Sequence, residues 1–183
     1  MRIFITGVGC VGTTTIGRAV SELLGIMFFD LDHEIENYFG TSIERLQNKY
    51  LTMHSFRLEA SKALVHLLNR PESLNSVIAL PPSGLMGGYL KALKQTIGTI
   101  IVLNDKPENI VERITFYDID SKLIVKHLSS KGKRLYCREI KKDITYFRKS
   151  YERAHLQIDI TGLYIQQSAN KVFDAIKLLK ITQ

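Results

Sequence analysis

Short apolar runs alternate along the chain with segments in which apolar residues recur every three or four positions. That alternation predicts strands and helices in turn. Arg2 to Thr6, Ile26 to Phe29, Ser76 to Leu80, Thr99 to Leu103 and Leu156 to Ile160 are apolar almost throughout, as strands buried on both faces are. Ile16, Ala19, Val20 and Leu23 predict a helix over Thr13 to Leu24, closed by Gly25. Glu34 to Phe39 reads as helix stopped by Gly40, and Thr41-Ser-Ile-Glu44 has the spacing of a capping box. Phe56, Ala60, Ala63, Leu64 and Leu67 support a longer helix from Thr52 to a break before Pro71. A further helix follows Gly84 to about Ile97, and Pro107 opens another at its first turn. Phe116 to Gly132 has no clear period, and the helix after it runs to about Arg153. Ile165, Ala169, Val172, Phe173, Ile176 and Leu179 make an amphipathic closing helix.

The order of elements predicts an α/β chain in three layers, α/β/α, around a five-stranded parallel sheet. Residues 1–183 read as a single domain, with the irregular segment at about 116–132 as a lid.

Composition changes this picture little. Hydrophobic residues at 45% and charged residues at 23% are ordinary globular values. No apolar stretch reaches membrane-spanning length, and the chain begins with a strand where a signal peptide would stand, so no membrane partner is expected. Cys10 and Cys137 form neither a disulfide framework nor a metal spacing, which points to a reducing cytoplasm. A monomer is expected. The histidines His33, His54, His66, His127 and His155 also lack ligand spacing.

Charge does add something. The net charge is +7, and basic residues crowd the stretch from Lys122 to Arg153 against only Glu139, Asp143 and Glu152. A solvated helix face, a nucleic-acid patch and a cover for a polyphosphate compete here. No aromatic-interleaved or recognition-helix motif accompanies the charge, so nucleic acid is not expected. Most of these cations read as solvated.

The candidate chemistry lies in Gly7-Val-Gly-Cys-Val-Gly12-Thr13-Thr14-Thr15, between the first strand and the first helix. Such a turn aims backbone N–H groups and a helix N-terminus at one anion. Read as G-x4-G-K-[ST], it is a phosphate loop with Thr14 as magnesium ligand and Thr13 in the lysine position. Read as G-x-G-x-x-G, glycines 7, 9 and 12 fit a dinucleotide fingerprint, with Asp30 placed for a ribose. The loop alone leaves both readings open.

Gly7 to Gly17, Phe29-Asp30-Leu31-Asp32-His33-Glu34-Ile35-Glu36, Gly40-Thr41-Ser42-Ile43 and Phe56-Arg57 together resemble shikimate kinase. The resemblance is good over the first third of the chain. Beyond it rests on strand order, lid position and Tyr151, Ala154 and Asp159. It implies a P-loop NTPase fold of nucleoside-monophosphate-kinase type, in whose strand order the strands ending at Thr6 and Leu80 lie side by side, ATP with Mg2+, and phosphoryl transfer to shikimate or a related small hydroxylated acid. By the same resemblance Gly7, Gly9, Cys10, Val11, Gly12, Thr13, Thr14 and Thr15 hold the phosphates. Thr14 and Asp30 hold the metal, and Asp32 takes the acceptor's hydroxyl. Arg57 and Arg148 bind the acceptor's carboxylate beside Pro82, and Arg113 stacks on adenine.

Elementary chemistry agrees with the division of labour. Phosphoryl transfer needs positioning and charge neutralisation. Two acids at i and i+2 off a strand end can serve metal and hydroxyl separately, and arginine offers a carboxylate a bidentate fork. Asp30 and Asp32 can also be read as helix caps, Arg57 as a surface charge and Arg148 as one basic residue among many.

The chain departs from the family pattern at Thr13, where the lysine belongs, and at Pro81-Pro82-Ser83, where the family has glycines lining the acceptor. The first departure bears on turnover and the second on the acceptor. The lid carries Asp118-Ile-Asp120-Ser-Lys122 in place of an Arg-Pro-Leu segment. Asp32, Arg57 and Arg148 are expected to converge over a floor of Pro81 and Pro82. Besides the kinase, a catalytically weak nucleotide-binding protein on the same fold and an NAD- or NADP-binding enzyme remain as alternatives.

Overall fold

The first strand of the chain lies at the centre of its sheet. In the computed structural model, which describes residues 1–181, β1 (Arg2–Gly7) pairs in parallel with β3 (Ser76–Ala79) on one side and β4 (Thr99–Asn104) on the other. β2 (Met27–Asp30) flanks β3, and β7 (Leu156–Asp159) flanks β4, giving the order β2-β3-β1-β4-β7. Phe4 stands opposite Ile78 and Ile100, and Ile5 opposite Ala79 and Ile101, so the middle strands meet apolar to apolar.

Helices cover both faces. α1 (Thr13–Leu24) packs with α8 (Ile165–Ile181), and α4 (Met53–Leu68) with α5 (Gly87–Lys94). Ile3, Phe4, Ile5, Val77, Ile78, Ile101, Val102 and Leu103 of the sheet meet Val20, Leu64, Leu67, Val172 and Ile176 of the helices in one core. Burying each such side chain is worth roughly 1.5–3 kcal/mol.

The strand order decides between the two readings of the glycine turn. In a dinucleotide fold the second strand neighbours the first, whereas here β3 stands between β1 and β2. The turn therefore follows the central strand at the point where chain connections diverge to both sides, with α1 running from it.

Several boundaries differ from expectation, each for a local reason. The second helix, α2 (Leu31–Phe39), begins before Glu34 because the Asp30 side chain caps it, accepting from the amide of Asp32 at 3.0 Å. The cap of α3 (Ile43–Gln47) is Ser42, not Thr41, and its first amide, Ile43 N, donates to Glu36 Oε1 of α2 at 3.1 Å. α5 stops at Lys94, short of Ile97. α6 (Pro107–Ile110) is a single turn that runs on into a 3-10 turn ending at Arg113. The aperiodic lid contains a small antiparallel hairpin, β5 (Phe116–Tyr117) with β6 (Leu123–Ile124). The lid ends at Ser129, which caps α7 (Ser130–Tyr151) by accepting from the amide of Gly132.

Candidate active site

A cavity of about 890 Å3 opens at the C-terminal end of β1. The loop from Gly7 to Thr15 forms one wall, and backbone sterics explain two of its glycines, Gly7 and Gly12. A Cβ on Gly7 would come within 2.7 Å of the Leu103 carbonyl oxygen of β4, and Gly12 sits at φ 109°. Cys10 takes φ 62°, so the loop curls through left-handed residues and turns amides inward. Gly12 offers no side chain to cap α1, and Ile16 N to Gly12 O at 2.9 Å is the helix's first closing bond. The amides ahead of Ile16 are thereby left for an anion.

Facing the loop, β2 delivers Asp30 and α2 delivers Asp32. Asp30 Oδ2 accepts the Thr14 hydroxyl at 2.6 Å while its other oxygen caps α2. The capping and metal-site readings of Asp30 are thus compatible in one side chain. A hydroxyl and a carboxylate in contact beside an amide cradle are hard oxygen donors of the kind that suits Mg2+. Asp32 faces the open water of the cleft while protein surrounds it on most other sides. That surrounding, with the negative charges of Asp30 and Glu36, pushes its pKa up to about 7.

All the predicted loop residues, with Asp30, Asp32, Pro82 and Arg113, line this cavity. Arg113 is anchored by an ion pair to the buried Asp105 carboxylate. Burial alone would raise Asp105, but bonds from Asn109, Arg113 and the Lys106 amide outweigh it and hold the carboxyl below the usual range. Pro81 and Pro82 are fixed from below: the Thr6 hydroxyl donates to Pro81 O at 2.9 Å and the Tyr151 hydroxyl to Pro82 O at 3.1 Å.

Arg57 and Arg148 do not line the cleft. Arg57 is buried beside it between α4 and α5, and its Nε finds no hydrogen-bond partner among the described residues. It lies within electrostatic reach of Tyr89, whose phenol is raised well above its usual range by burial and by Asp32, with Arg57 opposing. The resemblance puts Arg148 at the acceptor's carboxylate, whereas the structure places it off the cleft. It lines a separate cavity of about 310 Å3 with Val8, Asp105, Glu152 and Gln157. The phase of α7 explains the difference, since Ile140, Ile144, Phe147 and Tyr151 point inward and Arg148 falls on the flank. From α7 it is Tyr151 that reaches the proline loop, a residue the sequence marks only as a family echo.

Spacing along the chain gave no hint of several other lining residues: Glu36, Glu44, Tyr117, Asp118, Ser121 and Leu163. Asp30, Asp32, Glu36, Glu44 and Asp118 make the lining acidic, and Arg113 is its one cation among the described residues. The lysines of the lid and of the start of α7 lie outside that lining. Lys133 pairs with Glu112, and Lys126 sits 5.0 Å over the Phe116 ring.

Comparison with known proteins bears on the family and the fold. The family profile described as shikimate kinase matches residues 9–177. A bifunctional shikimate kinase/3-dehydroquinate synthase of Thermotoga maritima is 33% identical over 115 residues, 63% of this chain and 22% of that protein. The chain thus spans well under two thirds of that relative's length. A shikimate kinase of Bacillus anthracis is 30% identical over 179 residues, covering 95% of this chain and 97% of the relative. The structure of shikimate kinase from Acinetobacter baumannii in complex with shikimate superposes with a TM-score of 0.71 at 23% identity, over 98% of this chain and 94% of that one.

Proposed function

Because the chain belongs to the shikimate kinase family, we propose that it transfers the γ-phosphate of ATP to a hydroxyl of shikimate or a related small hydroxylated acid. The observation that carries this reading is the Thr14–Asp30 contact at the mouth of the glycine loop, with Asp32 on the first turn of the helix that Asp30 caps. In this reading the loop amides and the N-terminus of α1 hold the phosphates, and Arg113 faces the nucleoside. Thr14 and Asp30 hold Mg2+, which when bound neutralises charge on the β- and γ-phosphates. Asp32 accepts the proton of the attacking hydroxyl, for which a pKa of about 7 is well placed. The unpartnered Nε of Arg57, buried beside the acceptor side, suits a carboxylate. Pro81 and Pro82 floor the acceptor site without the N–H groups that glycines present there, which favours an acceptor altered from shikimate.

A second reading, a nucleotide-binding protein of weak turnover, is favoured by Thr13 together with the scarcity of cations in the cleft. Binding and turnover separate the two. Calorimetric titration with Mg·ADP should show binding in the parent and in Asp32→Asn alike. An ADP-release assay with acceptor should show turnover in the parent only. Loss of ADP binding in Asp32→Asn would remove the division of labour between the two acids.

A further inference from the structure

The lid hairpin ends in a tip, Asp118 to Lys122, whose shape is fixed from within. Asp118 Oδ1 accepts the amides of Asp120 and Lys122 at 2.8 and 2.9 Å, and Ser121 adopts φ 59°. The tip rests on the start of α3 and on α2. Arg45 Nε donates to Asp120 Oδ1 at 2.6 Å, the Ser42 hydroxyl donates to the Ile119 carbonyl, and the Ser121 hydroxyl donates to Glu36 Oε1. That Glu36 oxygen also accepts the amide of Ile43, so one carboxylate ties lid, α2 and α3 together. Glu36 stands one helical turn beyond Asp32, and Glu36, Tyr117 and Ser121 all line the cleft.

We propose that Arg45 and Asp120 are positioning residues: their ion pair latches the lid tip onto α2 and α3 and so seats Tyr117 and Ser121 over the cleft. The proposal rests on the kinase reading for its consequence. Transfer to an acceptor hydroxyl yields ADP and a phosphate ester, with the hydroxyl proton passing to Asp32. Attack by water on the same γ-phosphorus yields ADP and inorganic phosphate. A seated lid excludes water, so the latch biases the partition toward the ester. Both partners are about half exposed, at 50% and 45%, and an exposed pair has a modest effect. Removing it should raise lid opening about threefold, with the two hydroxyl bonds still in place.

The test is hydrogen exchange of amides 117–124 in the full chain without nucleotide, alongside the ratio of phosphate to ester released with Mg·ATP and shikimate. Arg45→Ala should speed exchange about threefold. Asp120→Arg, which sets two cations face to face, should speed it further, and the swap Arg45→Asp with Asp120→Arg should return it to within about twofold of the parent. Ser121→Ala, which leaves the pair intact, should add its own increment to Arg45→Ala. The ratio of hydrolysis to transfer should follow exchange across the series. Unchanged exchange in Arg45→Ala, or a swap that fails to recover, overturns the latch. Recovery by the swap with no ester formed upholds the latch and overturns the kinase reading, so the two fail separately.

Discussion

Restoring a lysine at position 13 should raise phosphoryl transfer by at least about tenfold. Thr13 is the first residue of α1, half-buried, on the wall of the cleft. The lining around it carries Asp30, Asp32, Glu36, Glu44 and Asp118 against Arg113. An ammonium some 6 Å from a phosphate oxygen gains about 3 kcal/mol at an effective dielectric constant near 20. In a cleft open to water about half of that survives, which is roughly tenfold in rate. A donor that tightens only in the transition state brings more, up to about 10²–10³. Two side effects identify the mechanism. The new cation should pull the Asp32 carboxyl down from about 7 by about one unit, moving the acid limb of the rate profile to lower pH. Lysine is at least as good a helix former as threonine, so thermal stability should barely change. Initial rates between about pH 5.5 and 9, with calorimetric ADP binding on both forms, measure all of this. Equal rates with an acid limb still near pH 7 would refute the reasoning, because an ammonium at that place cannot be silent toward both phosphate and Asp32.

Other expectations follow from single observations. Asp32 has a folded pKa raised from 3.8 to about 7, so the folded state holds its proton more tightly and stability falls as pH rises through that window. Asp32→Asn should therefore abolish transfer yet stabilise the fold at pH 8 relative to pH 4, by roughly 1–2 kcal/mol after discounting for the open cleft, read as a pH-dependent difference in melting temperature. In the parent, kcat/KM should rise with pH up to about 7 and then level, and a profile flat across pH 7 would exclude Asp32 as the base. Gly88 is where α5 touches α4: an added Cβ would lie 2.4 Å from Ser61 Oγ and 3.0 Å from the Arg57 carbonyl oxygen. Gly88→Ala should cost about 1–3 kcal/mol, lowering the melting temperature by about 2–4 °C for each, and should disturb Arg57 with it. A melting temperature equal to the parent's would show that the two helices separate freely.

What could be read from the residues divides along physical lines. Strand apolarity and helical period placed the five parallel strands and the central position of the glycine turn, because burial on both faces of a sheet is written locally. The side-by-side placement of the strands ending near Thr6 and Leu80 came from the family's order, which periodicity does not encode. Asp30 as a helix cap moved the start of α2 to Leu31, a side-chain bond that no apolar period reveals. Arg148 is assigned to the acceptor by the resemblance alone; the inward face of α7 belongs to Tyr151 and Phe147, and one residue of helical phase takes the arginine to another cavity. The lid tip was the least legible part. Its order comes from Arg45, Ser42 and Glu36, which lie some 75 to 85 positions earlier in the chain. Such pairings arise only when α2 and α3 meet the hairpin in space.

Phosphorus NMR of the reaction mixture shows whether phosphate passes to a small hydroxylated acid. With Mg·ATP and shikimate, a new phosphomonoester resonance should grow in step with ADP, absent without acceptor and absent for Asp32→Asn, whose ADP affinity stays near the parent's. ADP that appears with inorganic phosphate alone, at a rate indifferent to shikimate and to Asp32, would contradict it.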